Sequence, residues 1–341
     1  MLGLLVLGLS GCEGGRPATA TAPGQVEAPA PTPAAEQARR IIDIPNDDEA
    51  SVNMLVAAVQ ARPGDTLRFA CGYYELDAGL VLQTTEDIVI EGCGMDRTVL
   101  SFKGSNSAEG ILAVNVRGIV VRDLTVLDTP GDGIKLKGVD HGTLERVRTM
   151  WSSGGGAGSA TPVTADNYGR TLKVACTQPP TRDPENPISA IPLVGQLGSA
   201  PLIEQLPLLR DLPVVSDLIG AGTRSPDYTP SRQTGRYGIY PVASRNILVV
   251  DSEAIGASDA GIYVGQTSNA IIRNSRAAYN VMGFEIENVQ GGEYAGNVAE
   301  CNTGGFLIYD LDGLDQYGYG TRMYDNIARK NNTYNLSLIH I

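Results

Sequence analysis

The chain reads as an all-β solenoid, a parallel β-helix with coils of about 22 residues, opened by a short N-terminal capping helix. Three observations predict it. A glycine followed by an apolar residue recurs at Gly238-Ile239, Gly261-Ile262, Gly283-Phe284 and Gly305-Phe306, in steps of 23, 22 and 22, and earlier at Gly110-Ile111 and Gly133-Ile134, again 23 apart. Apolar runs of three to five residues, flanked by Gly, Asn, Asp or Ser, repeat along the chain with period-2 alternation. They run through Ile88–Ile90, Ile119–Val121, Leu124–Val126, Ile134–Leu136, Ile247–Val250, Ile262–Val264, Ile271-Ile272, Phe284–Ile286 and Phe306–Ile308. Polar residues keep the same beat: Ser258, Asn280 and Asn302, and Ser252, Ser275 and Asn297. Stacked turn residues of this kind can bond backbone groups that the bends leave unpaired. A β-sandwich would need hairpin turns and would give no reason for a constant period.

Element by element, the chain starts with an apolar run, Met1–Leu9, ending in Leu9-Ser10-Gly11-Cys12. The run is too short to span a bilayer, and its ending resembles a bacterial lipobox with Cys12 as the lipidated residue. No Lys or Arg precedes it, so the natural start is expected further upstream. Residues 13–40 are rich in Pro, Ala, Thr and Gly without periodicity and read as a flexible tether. Asp47–Arg62 carries Val52, Leu55, Val56 and Val59 at helical spacing, an amphipathic helix that would cover the open end of the first coil. Pro63-Gly64-Asp65 stops it and Thr66–Phe69 begins the first strand.

Cys71 and Cys93 are 22 residues apart, so they stack on adjacent coils. Strands about 4.8 Å apart lie inside the Cα range of about 4.4–6.8 Å that a disulfide needs, and this pair is expected to bridge. Cys176 and Cys301 have no partner that the period can name. From Gly154 to Gly235 the beat disappears, and 11 of the 20 prolines fall there. This window reads as an excursion packed on the flank. Its apolar stretch Ile188–Ile219, broken by prolines and charges, is a candidate surface for a partner protein. The solenoid domain runs over 41–335. Leu336–Ile341 breaks the pattern and resembles the translation of a sequencing adaptor, so the repeat is expected to continue beyond it.

The net charge of −12 resides in the folded part, because the first 40 residues balance three arginines with three glutamates. That argues against nucleic acid as a partner. One credible histidine, His141, and scattered methionines argue against a copper site. A tethered domain behind a lipidated cysteine implies a cell-envelope location with the anchor as its only membrane contact.

In Gly-Ile-x-Val the apolar residues point inward and x points out. Lys135, Tyr240, Tyr263, Glu285 and Leu307 therefore stack as one exposed column. A second column holds Lys137, Gln266, Glu287 or Asn288, and Asp310. Carboxylates and tyrosines on one face suit a polysaccharide: rings stack on sugars, and carboxylates bind hydroxyls or a cation.

The repeats Asn246–Gln266, Ala270–Asn288 and Gly291–Asp310 resemble a bacterial family of envelope right-handed parallel β-helix repeat proteins within the pectate-lyase-like superfamily. The likeness covers 41–333 apart from the excursion. It implies lyase or C5-epimerase chemistry on uronic acid polymers, with Tyr240, Tyr263, Lys135 and His141 as candidate catalytic groups. Lys137, Gln266, Asn288 and Asp310 would then bind substrate. An acidic domain would repel a polyuronate, so Ca²⁺ through Asp259, Glu285 and Glu287 is the expected bridge. Two further readings are a glycoside hydrolase using Glu285 and Glu287, and a non-catalytic module that binds glycan or protein.

Overall fold

The structure is a computed structural model, and it describes residues 39–152, 163–176 and 235–331. Cys12, nearly all of the tether, Ile188–Ile219 and Leu336–Ile341 lie outside these residues. The solenoid domain is a parallel β-helix: every strand pairing is parallel, and each coil stacks on the next. One face is a seven-stranded sheet of Leu80–Gln83, Ile111–Val114, Ile134–Lys137, Ile239–Val242, Ala260–Gly265, Met282–Glu287 and Gly304–Tyr309. The other strands form a second sheet in which Arg117–Leu127 and Asp140–Met150 bend across two faces.

The glycine beat has a steric cause. A Cβ on Gly133 would come within 2.6 Å of the Gly238 carbonyl oxygen, one on Gly238 within 2.4 Å of that of Gly261, and one on Gly283 within 2.6 Å of that of Gly305. The coils meet backbone to backbone at this column, so a side chain is excluded. Next to it Ile111, Ile134, Ile239, Ile262 and Phe284 stack through the core, all within 1% of full burial. The rings of Phe284 and Phe306 lie 4.8 Å apart and nearly parallel, one strand spacing between them.

Buried asparagines hold the turns. Asn280 Oδ1 accepts from the Ala257 N–H (2.8 Å), and Asn302 Oδ1 accepts from that of Asn280 (2.9 Å). Asn297 Oδ1 accepts from the Ser275 N–H, also at 2.9 Å. The expected ladder is one residue off at its start. Ala257 holds the register position, while Ser258 donates instead to the Gly235 carbonyl.

The N-terminal end differs from expectation in three ways. Ile41–Ile44 is a strand and pairs with Thr66–Phe69. Arg40 is already part of the fold, its guanidinium bound to Asp65. The helix spans Ala50–Gln60 and turns its other face inward: Ala50, Met54 and Ala57 are buried, while Val52, Leu55, Val56 and Val59 are exposed. Small residues let the helix approach the end of the solenoid closely, and that approach outweighs the larger apolar area of the valine stripe.

The excursion leaves the register intact. Ile134 pairs with Ile239 although 105 residues separate them, against 23 for an ordinary coil. Within it, 163–176 lies on the flank. Val163 and Leu172 are buried against Val99, Leu127, Met150 and Ile255. Tyr279 Oη donates to the Ala175 carbonyl (2.7 Å), and Arg276 donates to that of Val174 (2.8 Å). Cys176 is disulfide-bonded to Cys301, with Cα atoms 5.8 Å apart. Cys71 and Cys93 are bonded as well, with Cα atoms 5.5 Å apart.

Candidate functional site

The outer surface of the seven-stranded sheet carries the strongest concentration of chemistry. Its register rows put Lys135 beside Tyr240, Tyr263 beside Glu285, and Glu285 beside Leu307. The expected column therefore forms, but it is not exposed throughout. Tyr263, Glu285 and Glu287 keep only 5–6% of their surface. Large outward side chains lean across neighbouring coils and cover one another.

Three tyrosines make the centre of this layer. The rings of Tyr237, Tyr240 and Tyr263 lie 4.7–4.9 Å from each other. Lys135 Nζ sits 4.8 Å from the Tyr240 ring centre and is bound to Asp132 (2.8 Å) and Glu109 (3.5 Å). Gly265 makes room for the group: a Cβ there would fall 2.7 Å from the Tyr263 ring. That ring lies over Gly265, and its hydroxyl donates to Glu287 on the next coil.

The second outward row differs from expectation. It runs through Lys137, Val242, Gly265, Glu287 and Tyr309. Gln266 and Asn288 fall one residue later, at positive φ where each strand turns its corner. Gln266 still reaches the site and donates to Glu287. Asn288 does not: it is fully buried and holds the following loop through the Leu311 and Gln316 carbonyls. Asp310 accepts from the Gly318 N–H and closes the same loop. Lys137 is exposed and three strand steps from Glu287, about 14 Å.

His141 is also set apart. It lies on the other sheet, two-thirds exposed at positive φ, with Nδ1 2.8 Å from Asp140. Arg245 and Asn246 hold the Asp140 carboxyl well below the usual carboxylate range.

Tyr309 is the residue that sequence reasoning passed over. Its hydroxyl lies 2.7 Å from Glu285 Oε1 and 2.9 Å from Glu287 Oε2, so those oxygens are no more than 2.7 Å plus 2.9 Å apart. Strict alternation from Gly305-Phe306 would have found it, because Tyr309 repeats the place of Glu287. Tyr237 gives no such signal, since it follows the non-periodic excursion.

The proton inventory follows from these contacts. Glu287 accepts from Tyr263, Gln266 and Tyr309, whereas among the described residues Glu285 has Tyr309 alone. One hydroxyl hydrogen cannot serve two carboxylates. The arrangement is complete when Glu285 is protonated and donates to Tyr309 Oη, which donates on to Glu287. Burial agrees with this: it pushes Glu285 up to about 7, and the charges of Asp259 and Glu287 push the same way, against the Tyr309 hydroxyl.

Burial likewise raises Tyr237, Tyr240, Tyr263 and Tyr309 above the usual tyrosine value. For Lys135, burial works downward, but Asp132 outweighs it and the net direction is up. Near neutrality these tyrosines therefore keep their hydroxyl protons in the resting site, and Lys135 is charged. Tyr240, Tyr263 and Lys135, the candidate catalytic groups, thus stand together on this face in their protonated forms.

The three carboxylates expected to hold Ca²⁺ each have a protein partner. Glu285 and Glu287 are turned to tyrosine hydroxyls, and Asp259 accepts from Tyr237 while burial raises its pKa. Among the described residues, no three His, Cys, Asp or Glu side chains gather to hold an ion.

No protein-family model and no curated protein sequence matches the chain. Solved structures do. The A-module of mannuronan C-5 epimerase AlgE4 from Azotobacter vinelandii is 16% identical over 83% of this chain and 63% of its own, with a TM-score of 0.45. An alginate lyase from Paenibacillus sp. str. FPU-7 is 11% identical over 85% of this chain and 97% of its own, with a TM-score of 0.31. The alginate lyase AlyGC, of the PL6 family, is 10% identical over 85% of this chain and 39% of its own, with a TM-score of 0.26.

Proposed function

We propose that the protein binds a polysaccharide across the seven-stranded sheet and processes it by proton transfer at Glu285, Tyr309 and Glu287. One observation carries this reading: two buried carboxyls joined through a single tyrosine hydroxyl, with a protonated acid as the state that satisfies every contact. A buried acid that holds its proton to near neutrality is what general-acid catalysis needs. The Tyr237–Tyr240–Tyr263 group beside it offers ring faces and edges for sugar. The solved structures above bear alginate-acting names, which lends the substrate class only general company.

In this reading Cys12 and the tether hold the domain at a bacterial cell envelope. A Cys12→Ser variant that stays in the membrane fraction would refute that placement. Incubating the purified protein with alginate, polygalacturonate and neutral glycans, with chromatography of the products, tests the activity. Turnover that Glu285→Gln leaves unchanged would remove the site from the mechanism. A module that only binds glycan would show saturable binding and no product.

A further inference from the structure

We infer that the outward face of the N-terminal helix docks a second copy of this chain, the two helices packing antiparallel across a two-fold axis. This surface is separate from the tyrosine-lined face. The helix Ala50–Gln60 packs on Leu80–Gln83, which lies five strand steps, about 24 Å, from Met282–Glu287 along the seven-stranded sheet.

The first observation is that the helix is inverted. Its inward face is built from Ala50, Met54 and Ala57, while Val52, Leu55, Val56 and Val59 keep 59%, 41%, 45% and 86% of their surface. Spaced i, i+3, i+4 and i+7, these four line up as one stripe about two turns long. That is the seam with which one helix packs on another. No residue of Ala50–Gln60 is charged, so nothing interrupts the stripe. Single exposed apolar side chains are ordinary, but a contiguous row of them marks an interaction surface.

The second observation is symmetry. The stripe is centred between Leu55 and Val56. An antiparallel copy centred at the same point sets Val52 against the other copy's Val59, and Leu55 against its Val56. The same register sets Glu49 against Arg62, and the two-fold axis makes that match twice. Glu49 and Arg62 are exposed and, among the described residues, make no ion pair. Asp47 and Asp48, also exposed, strengthen the acidic end. One end of the stripe is therefore acidic and the other basic, and antiparallel packing joins unlike ends. A parallel pair would set acid against acid, and its helix dipoles would repel.

The same charges favour a second copy over a lipid surface. A helix that lies in a bilayer interface carries Lys and Arg on its polar face and leaves that face to water. Here the opposite face is buried in the solenoid, and the acids at the end of the stripe would repel anionic headgroups. Size sets the strength of the contact. A helix of 11 residues is about 16 Å long, so the pair buries less than the roughly 1,600 Å² of a standard interface. It belongs to the weak, reversible class, with a Kd on the order of 10 µM.

The test uses the full chain carrying Cys12→Ser, so that no acyl chain can drive association, in sedimentation equilibrium from about 1 to 200 µM. The mass should rise from one chain towards two over that range. Val56→Asp should raise the Kd about 100-fold or more, because each copy then buries a carboxylate at the centre of the contact. Val59→Asp, at the most exposed position, is a second variant with the same expected direction, and neither should move the melting temperature of the dilute protein. Glu49→Lys and Arg62→Glu should each weaken association about tenfold, and the two together should restore it to within about threefold. A chain that stays monomeric at about 200 µM would overturn the inference. So would a dimer that both aspartate variants leave intact, or charge reversals that the double exchange fails to rescue in proteins that melt alike. Binding to vesicles of phosphatidylcholine and phosphatidylglycerol, lost in Val56→Asp while the chain remains monomeric, would overturn it in favour of a lipid surface.

Discussion

Replacing Glu285 with glutamine should remove most of the pH dependence of stability that this site builds in. The carboxyl is pushed from the usual glutamate value of 4.5 to about 7, chiefly by burial. At about 1.4 kcal/mol per unit, that difference amounts to about 3 kcal/mol. The folded state holds the proton more tightly than the unfolded chain, so this contribution is complete below about pH 4.5. It fades as pH rises through 7, where folding must bury a charge. Glutamine offers an Nε2 donor to Tyr309 Oη in place of the carboxyl proton and has no proton to lose. The wild type should therefore lose about 3 kcal/mol relative to Glu285→Gln between pH 4.5 and 9, and the variant should be the more stable above neutrality. Trp151, the chain's one tryptophan, is buried and donates to the Thr129 carbonyl, so its fluorescence reports urea unfolding. Parallel stability curves for the two proteins from pH 5 to 9 would show an ordinary carboxylate at 285 and refute the shared proton.

Asn302→Leu should cost about 4 kcal/mol, because it strands the Asn280 N–H and the Ala277 carbonyl inside the core; a urea-midpoint change worth less than 1 kcal/mol would argue against the asparagine ladder. Gly265→Val should displace the Tyr263 ring from Glu287 and lower glycan turnover while the far-ultraviolet spectrum stays constant; an unchanged rate would deny Tyr263 its part. Met54→Ala should destabilise the protein by about 3 kcal/mol and Val59→Ala by no more than about 0.5 kcal/mol. Thermal melts showing the reverse order would mean that the helix buries its valine face. Cys301→Ser should expose 163–176 to limited proteolysis under native conditions, and an unchanged digestion pattern would show that Val163 and Leu172 suffice to hold that segment.

The architecture was legible because a solenoid writes its fold into a period. Each glycine of the beat meets the backbone of the next coil, so the spacing of glycines is the length of a coil. The same period put Lys135, Tyr240, Tyr263 and Glu285 in one column and Cys71 over Cys93. It failed where a corner intervenes. Gln266 and Asn288 occupy left-handed turn positions, so counting through them misplaced the second column and passed over Tyr309. It also failed at the helix, where an apolar stripe at the right spacing was the wrong face. Hydrophobic area alone does not tell which side can come close enough to pack.

The sequence by itself determined the parallel β-helix, its coil length, its glycine and asparagine columns and the strand face on which Lys135, Tyr240, Tyr263 and Glu285 stack. All of these follow from local, repeated backbone requirements. Only the tertiary structure decided that Tyr263 lies over Gly265, that one Tyr309 hydroxyl joins Glu285 to Glu287, and that Cys176 reaches Cys301 from a segment without period. These depend on how side chains lean from one coil to the next and on where a non-repeating segment comes to rest. Neither has a spacing that a sequence can record.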